Sequence, residues 1–144
     1  MHCLRAVDVD DRLVDETWEK VSGVGSYYSI ADGCTKDLFR SRLFQSNAVL
    51  QGEGLLLSLE AGEGCLEVHP IAFGPSSFRH AKEALQDIVE LRDRLFATKP
   101  ICCIIPDGMR GARRLAREAG MTRTGTVIRP LSGILIPCTV FTWR

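Results

Sequence analysis

The chain has 144 residues, of which 45% are hydrophobic and 25% are charged, as expected for a single globular domain over residues 1–144. Its 18 basic residues balance its 18 acidic residues, so no overall field favours nucleic acid or an anionic membrane as a partner. Without an apolar run of ~20 residues or a signal-like N-terminus, the sequence predicts a cytoplasmic protein with no membrane contact.

The first half of the chain predicts a strand, two helices and a β-hairpin. Asp8, Asp10 and Asp11 supply acids for the start of the first helix, and a Gly52-Glu53-Gly54 turn separates the two hairpin strands. Apolar residues recur at three- and four-residue steps in the helices. The predicted elements are a strand over His2 to Val7, helices to about Val21 and over Thr35 to Gln45, and strands over Ala48 to Gln51 and Leu55 to Glu60.

The second half alternates between strands and helices. An apolar run bounded by two prolines predicts a strand covered on both faces, and Gly120 is typical of a residue that ends a helix. The predicted strands are Cys65 to Pro70, Ile101 to Ile105, Met121 to Arg129 and Ile134 to Trp143, and the helices are Ser77 to Ala97 and Arg110 to Ala119. This order predicts an α/β (α+β) fold, with helices on both faces of a mixed central sheet of about six to seven strands.

Cysteine and histidine spacing gives no sign of a metal site. None of the six cysteines forms a Cys-x-x-Cys pair, and the three histidines lack ligand spacing. We therefore expect no metal and buried, reduced thiols. Ser-His-Asp hydrolase and P-loop functions are disfavoured because neither motif is present.

The segment from Cys65 to Leu95 is the most informative part of the chain. A strand that enters a long helix through a Gly-Pro-Ser-Ser turn leaves several backbone N–H groups unpaired at the start of the helix. These groups and the helix dipole favour phosphate, to which Ser76, Ser77 and Arg79 can add contacts. The alternative is that one of the two serines only caps the helix.

The order of elements resembles the GNAT superfamily of acyl-CoA N-acyltransferases over essentially the whole chain. The strand–turn–helix at Cys65 to Ala97 looks like the superfamily's acyl-CoA-binding segment. The strand ending in Ile104-Ile105-Pro106-Asp107 and the helix ending in Gly120-Met121 look like the elements that follow it. The closing pair of strands also has its place in that order.

The resemblance implies acetyl-CoA as co-substrate and no metal. The pantetheine arm would lie between two parted strands, Cys65 to Pro70 and Ile101 to Ile105, with a backbone N–H near His69 to Ile71 polarising the thioester carbonyl. The pyrophosphate would rest on backbone amides at the start of the long helix. The implied cofactor-binding residues are Val68, Pro70, Ile71, Ser76, Ser77, Phe78, Arg79, His80 and Ala81.

Two departures from the superfamily pattern stand out. The loop lacks the usual Gly-x-Gly, since bulky residues such as Phe78 and His80 take those places. The helix after the fifth strand lacks the tyrosine that many members use to protonate the departing thiolate, with Leu115 near that place.

Glu67 and His69 are the candidate catalytic bases. They lie two residues apart on one strand and therefore share a face, from which either could take a proton from an incoming ammonium. The alternative is a solvated glutamate and a hydrogen-bonded packing histidine. Tyr27 and Tyr28 are the candidate acceptor-binding residues, with ordinary packing as their alternative.

Two functions follow from these features. The first is an acyl-CoA dependent N-acyltransferase that acts on an unidentified amine of a small molecule or a protein. The second is a catalytically inactive GNAT-like fold that serves as an interaction or assembly module. Exposed strands such as Ile134 to Val140 would then pair across a homodimer.

Overall fold

A seven-stranded mixed sheet forms the centre of the protein. The computed structural model describes residues 3–24, 34–73, 75–95, 99–131 and 133–143. The strands are β1 (Arg5–Ala6), β2 (Ala48–Gly52), β3 (Leu55–Ala61), β4 (Leu66–Ala72), β5 (Ile101–Pro106), β6 (Thr122–Leu131) and β7 (Ile134–Trp143). Their spatial order is β1-β2-β3-β4-β5-β7-β6, and every neighbouring pair is antiparallel except β4 and β5.

Two helices cover each face of the sheet. The helices are α1 (Asp11–Val24), α2 (Lys36–Gln45), α3 (Ala81–Leu95) and α4 (Arg110–Ala119). Phe39 and Leu43 of α2 pack with Val14 of α1 on one face, where they contact Leu56 and Ile71 of the sheet. Two clusters that include α3 and α4 residues fill the other face. This confirms the predicted fold class. Of the described helices, none has the length and apolar content needed to cross a membrane.

The parallel strands β4 and β5 part soon after they meet. Only Leu66 with Ile101 and Glu67 with Cys102 are in register. Because Leu66 N–H donates to Pro100 O at 2.8 Å, N–H groups at even positions of β4 face β5. The next bond of this ladder would run from Ile104 N–H to Val68 O, and the one after it needs an N–H from residue 70, which is a proline and has none. Pro70 thus removes one donor that could extend the ladder into the gap between the two strands.

The long helix starts later than the sequence pattern predicts. Pro75–Phe78 forms a short 3₁₀ helix, and α3 begins at Ala81 rather than at Ser77. The β2–β3 turn packs against this segment, since Phe73 N–H donates to Gly54 O at 2.8 Å. Gly54 has a φ of 67°, and a Cβ there would clash with Ser76 Oγ. The predicted phosphate loop is therefore tied to the neighbouring hairpin.

A disulfide joins Cys65 to Cys102 beside the two registered pairs of β4 and β5. The expectation of reduced thiols is wrong for these two residues. The two cysteines are 37 residues apart in the sequence, and the parallel pairing of β4 and β5 brings them together. Cys103 and Cys138 are buried free thiols, as expected.

Candidate functional site

A cavity of about 710 Å³ opens where β4 and β5 part. Its lining includes Ile71, which belongs to the core under α1 and α2, and Ile105, which belongs to the core under α4. Met109 and Ala112 at the start of α4 also line it. Because its walls come from both faces of the sheet, the cavity occupies the gap between the two strands. Its volume is that of a site for a drug-sized ligand.

A cluster of charged side chains lies at the α2 end of the cavity. Glu60 of β3 and Glu67 of β4 are cross-strand partners, so their side chains share the face on which His69 lies. Arg129 Nη1 contacts Glu67 Oε1 at 2.9 Å, and Arg42 Nη1 lies 3.6 Å from Glu60 Oε1. We call Arg42, Glu60, Glu67, His69 and Arg129 the charged cluster.

His69 is held neutral within this cluster. Burial, with Arg42 and Arg129 nearby, lowers the pKa of His69 to about 3. Arg42 Nη1 lies 3.1 Å from His69 Nε2 and donates to it, which leaves the ring hydrogen on Nδ1. The contacts from Nε2 to Glu67 at 3.4 Å and to Glu60 at 3.6 Å are therefore not ion pairs at neutral pH. A histidine in this state is a weak base.

The lowered pKa of His69 predicts an acid-sensitive contribution to stability. The pKa of His69 is 6.5 in the unfolded chain and about 3 in the folded protein. Between these two pH values the unfolded chain binds the proton more readily, so stability falls as the pH falls. From pH 7 to pH 5, the wild type should lose roughly 2 kcal/mol more unfolding free energy than His69→Gln. Urea denaturation at both pH values measures this difference. His80→Gln removes a half-exposed imidazole and is the matched control, and an equal loss in all three proteins would contradict the prediction.

Three ligand-type atoms converge in the charged cluster. Glu60, Glu67 and His69 each offer one such atom, and these atoms lie within 4.8 Å of one another. Arg129 already contacts the Glu67 oxygen, and Arg42 donates to the His69 nitrogen. A metal ion there would have two guanidinium groups as neighbours, so we assign the cluster no metal.

The side chains of the predicted phosphate loop contact other parts of the protein. Arg79 Nη1 lies 3.1 Å from Glu53 Oε1, and His80 Nε2 lies 3.4 Å from Glu53 Oε2. The Arg114 guanidinium stacks 4.4 Å above the Phe78 ring. Ser77 is buried, as is Ala81 at the start of α3. Arg79 N–H donates to Ser76 O at 3.3 Å within the loop. Phosphate binding by Ser76, Ser77, Phe78, Arg79, His80 and Ala81 stays a prediction.

The other predicted residues divide between the gap and its surroundings. Pro70 and Ile71 line the cavity, whereas the Val68 side chain is buried in the core on the α3 side. N–H groups at odd positions of β4 face β3, as Phe73 N–H does, and Pro70 has no N–H. The expectation of a polarising N–H near His69 to Ile71 is therefore wrong. Tyr27 and Tyr28 lie outside the described residues.

A backbone donor on β5 faces the gap instead. Asp107 N–H donates to Pro137 O of β7 at 3.0 Å, so N–H groups at odd positions here face β7. By the same alternation, Ile104 N–H faces β4 across the gap. Ile104 also lines the cavity.

Sequence reasoning missed Arg42, Glu60 and Arg129. Glu60 and Ser58 alternate on β3 and therefore share a face. The strand register, which places them opposite Glu67 and His69, is needed to connect them to the site. Arg42 and Arg129 come from α2 and β6, elements that the sequence does not place beside β4.

No protein-family model matches the sequence, and no curated protein is similar to it in sequence. Several solved structures are similar in fold. A GNAT-family acetyltransferase from Bacillus anthracis has a TM-score of 0.71 at 15% identity, over 99% of this chain and 95% of that chain. An acetyltransferase from Salmonella typhimurium that modifies the N-terminal serine of ribosomal protein L7/L12 has a TM-score of 0.68 at 12% identity, over 97% and 92%.

The third similar structure contains bound ligands. The microcin C7 self-immunity acetyltransferase, in complex with acetyl-CoA and AMP, has a TM-score of 0.67 at 8% identity, over 97% of this chain and 91% of that chain. All three similarities extend over nearly the whole chain, and the parted strands agree with the resemblance read from the sequence. The protein has the fold of the GNAT acetyltransferases.

Proposed function

We propose that the protein is an acyl-CoA dependent N-acyltransferase that uses acetyl-CoA. The observation that supports this most is the cavity between β4 and β5, which opens beyond the two registered pairs of these strands. A pantetheine arm needs such a gap, since its amides would replace the missing strand partners. The microcin C7 self-immunity acetyltransferase, which has a similar fold, contains acetyl-CoA, and this supports the choice of co-substrate.

The reaction we propose is direct transfer in a ternary complex. The amine nitrogen attacks the thioester carbonyl carbon, a C–N bond forms, and the C–S bond breaks with its electron pair going to sulfur. Acetyl-CoA and an ammonium thus give an N-acetyl amine, CoA and one proton. The gap would hold the thioester close to the amine, and Ile104 N–H would donate to its carbonyl oxygen as negative charge develops there.

Glu67 is the proposed proton acceptor. Its carboxylate contacts two cavity-lining residues, His69 and Arg129, and its side chain is only 16% exposed. His69, the other sequence candidate, is a weaker base because its lowered pKa and the hydrogen bond from Arg42 oppose protonation. We propose that His69 stays neutral beside the amine. The CoA thiolate would take its proton from solvent.

Acetyl-CoA should bind and stabilise the folded protein. At 100 times its Kd it adds about 2.7 kcal/mol, which raises the melting temperature by roughly 5–10 °C in a chain of about this size. Ile104→Trp fills the gap with a larger side chain and should abolish most of that shift. Ile128→Trp places the same change at a 69% exposed position outside the cavity and should retain it. Differential scanning fluorimetry measures all three.

Absence of a wild-type shift at millimolar acetyl-CoA would count against the enzyme and favour the interaction module. One observation already gives that role some support. Three strongly exposed apolar residues, Ile128, Ile134 and Leu135, lie on the hairpin of β6 and β7. They lie on the part of the hairpin that extends beyond the last registered pair of β5 with β7, Pro106 with Cys138.

A further inference from the structure

The arginines of the charged cluster are more exposed than its carboxylates. The Arg42 and Arg129 side chains are each 44% exposed, whereas Glu60 is 35% exposed and Glu67 is 16% exposed. The cations thus present more surface than the carboxylates with which they pair. An incoming molecule meets two guanidinium groups as well as two carboxylates.

The cluster has no net charge. Two arginines balance two glutamates, and His69 is neutral. An acceptor with a net charge would leave one charge unmatched in this partly buried place, which costs desolvation energy. A zwitterion adds one charge of each sign, and both can be paired.

We infer that the acceptor is a small zwitterion, with its amine and a carboxylate on the same or neighbouring carbons. This inference rests on the proposed function. The ammonium would lie against Glu67 and Glu60, and the carboxylate against Arg129 and Arg42. Leu38, Phe39 and Met109 also line the cavity, so an apolar side chain fits beside the charged end.

The geometry also links acceptor binding to the base. Arg129 comes from β6 and reaches Glu67 of β4, although β5 and β7 lie between those strands in the sheet. When Arg129 pairs with the acceptor carboxylate, the ammonium takes its place at Glu67. The ammonium then gives its proton to Glu67, and the amine attacks the thioester. An amine that lacks the carboxylate cannot draw Arg129 away from Glu67. Glu67, the proposed base, then stays paired with Arg129.

Matched acceptors test the inference. With acetyl-CoA as donor, kcat/KM for L-leucine and L-methionine should exceed that for their amides about tenfold to a hundredfold. Arg129→Gln should reduce this preference to less than about threefold. Arg123→Gln changes an exposed arginine on the same strand, outside the lining of the cavity, and should preserve the preference. Amides acetylated as well as the acids, or an unchanged preference in Arg129→Gln, would overturn the inference.

A binding measurement separates this inference from the proposed function. Calorimetric titration of L-leucine and of leucinamide into the wild type, with CoA present, needs no transfer reaction. Tighter binding of L-leucine supports the zwitterion site, even if acetyl-CoA fails to raise the melting temperature and the transferase proposal falls. Equal or tighter binding of leucinamide overturns the zwitterion site and leaves the transferase proposal standing.

Discussion

Replacing Glu67 by glutamine is expected to lower the rate of acyl transfer by 10²–10⁴-fold, the usual contribution of a general base. The amide keeps the size of the side chain but cannot take the proton that the ammonium must lose. Acetyl-CoA binding should stay unchanged, because Glu67 does not line the cavity and its proposed role concerns only the acceptor. Steady-state kinetics with an acetylated amine, paired with an acetyl-CoA titration, separates the two effects.

Two further glutamine variants serve as comparisons for Glu67→Gln. Glu60→Gln removes the neighbouring carboxylate and should mainly raise KM, since Glu60 contacts Arg42 and His69 at 3.6 Å and would help hold the ammonium. Glu16→Gln alters an exposed carboxylate on α1 that pairs with Arg12 and should change neither parameter. If Glu67→Gln keeps most of its kcat, the proton acceptor is another group.

Phe141→Ala should cost roughly 3–5 kcal/mol of unfolding free energy, as for other large aromatic residues in cores. Phe141 is 2% exposed on β7 and packs with Cys103, Ile105 and Met109 under α4. Truncation leaves a cavity that the rigid sheet cannot fill. This cost is a large share of the 5–15 kcal/mol that holds a typical domain folded. Equilibrium urea unfolding gives the value.

The exposed Phe44 provides the comparison for Phe141. It is 44% exposed on α2 and stacks with Arg40, so Phe44→Ala should cost less than about 1 kcal/mol. A similar cost for the two variants would mean that the core under α4 is loosely packed. Because Met109 and Ala112 of that core also line the cavity, Phe141→Ala should weaken acetyl-CoA binding as well.

Most of the fold could be predicted because its signals are local. Thr35 caps α2 by accepting from Leu38 N–H at 3.2 Å, and the Gly120 turn ends α4, both at the predicted positions. The start of α3 was harder to place. Pro75–Phe78 favours a 3₁₀ turn, whose short period resembles that of the helix beyond it.

Only the two site residues that lie on the same strand could be predicted together from the sequence. Glu67 and His69 share a face by simple alternation, and the structure brings their side chains within 3.4 Å. Arg42, Glu60 and Arg129 join them through strand register and helix packing, which depend on contacts between distant parts of the chain. The low pKa of His69 follows from that assembly, since burial and both arginines cause it.

The Cys65–Cys102 bridge determines how the two parted strands can move. It crosslinks β4 to β5 at the closed end of their gap, next to the pairs Leu66 with Ile101 and Glu67 with Cys102. With that vertex covalently fixed, neither strand can slide along the other. Any widening that admits a substrate must therefore be a rotation about this pivot, largest at the end near Ala72 and Pro106 and smallest beside Glu67.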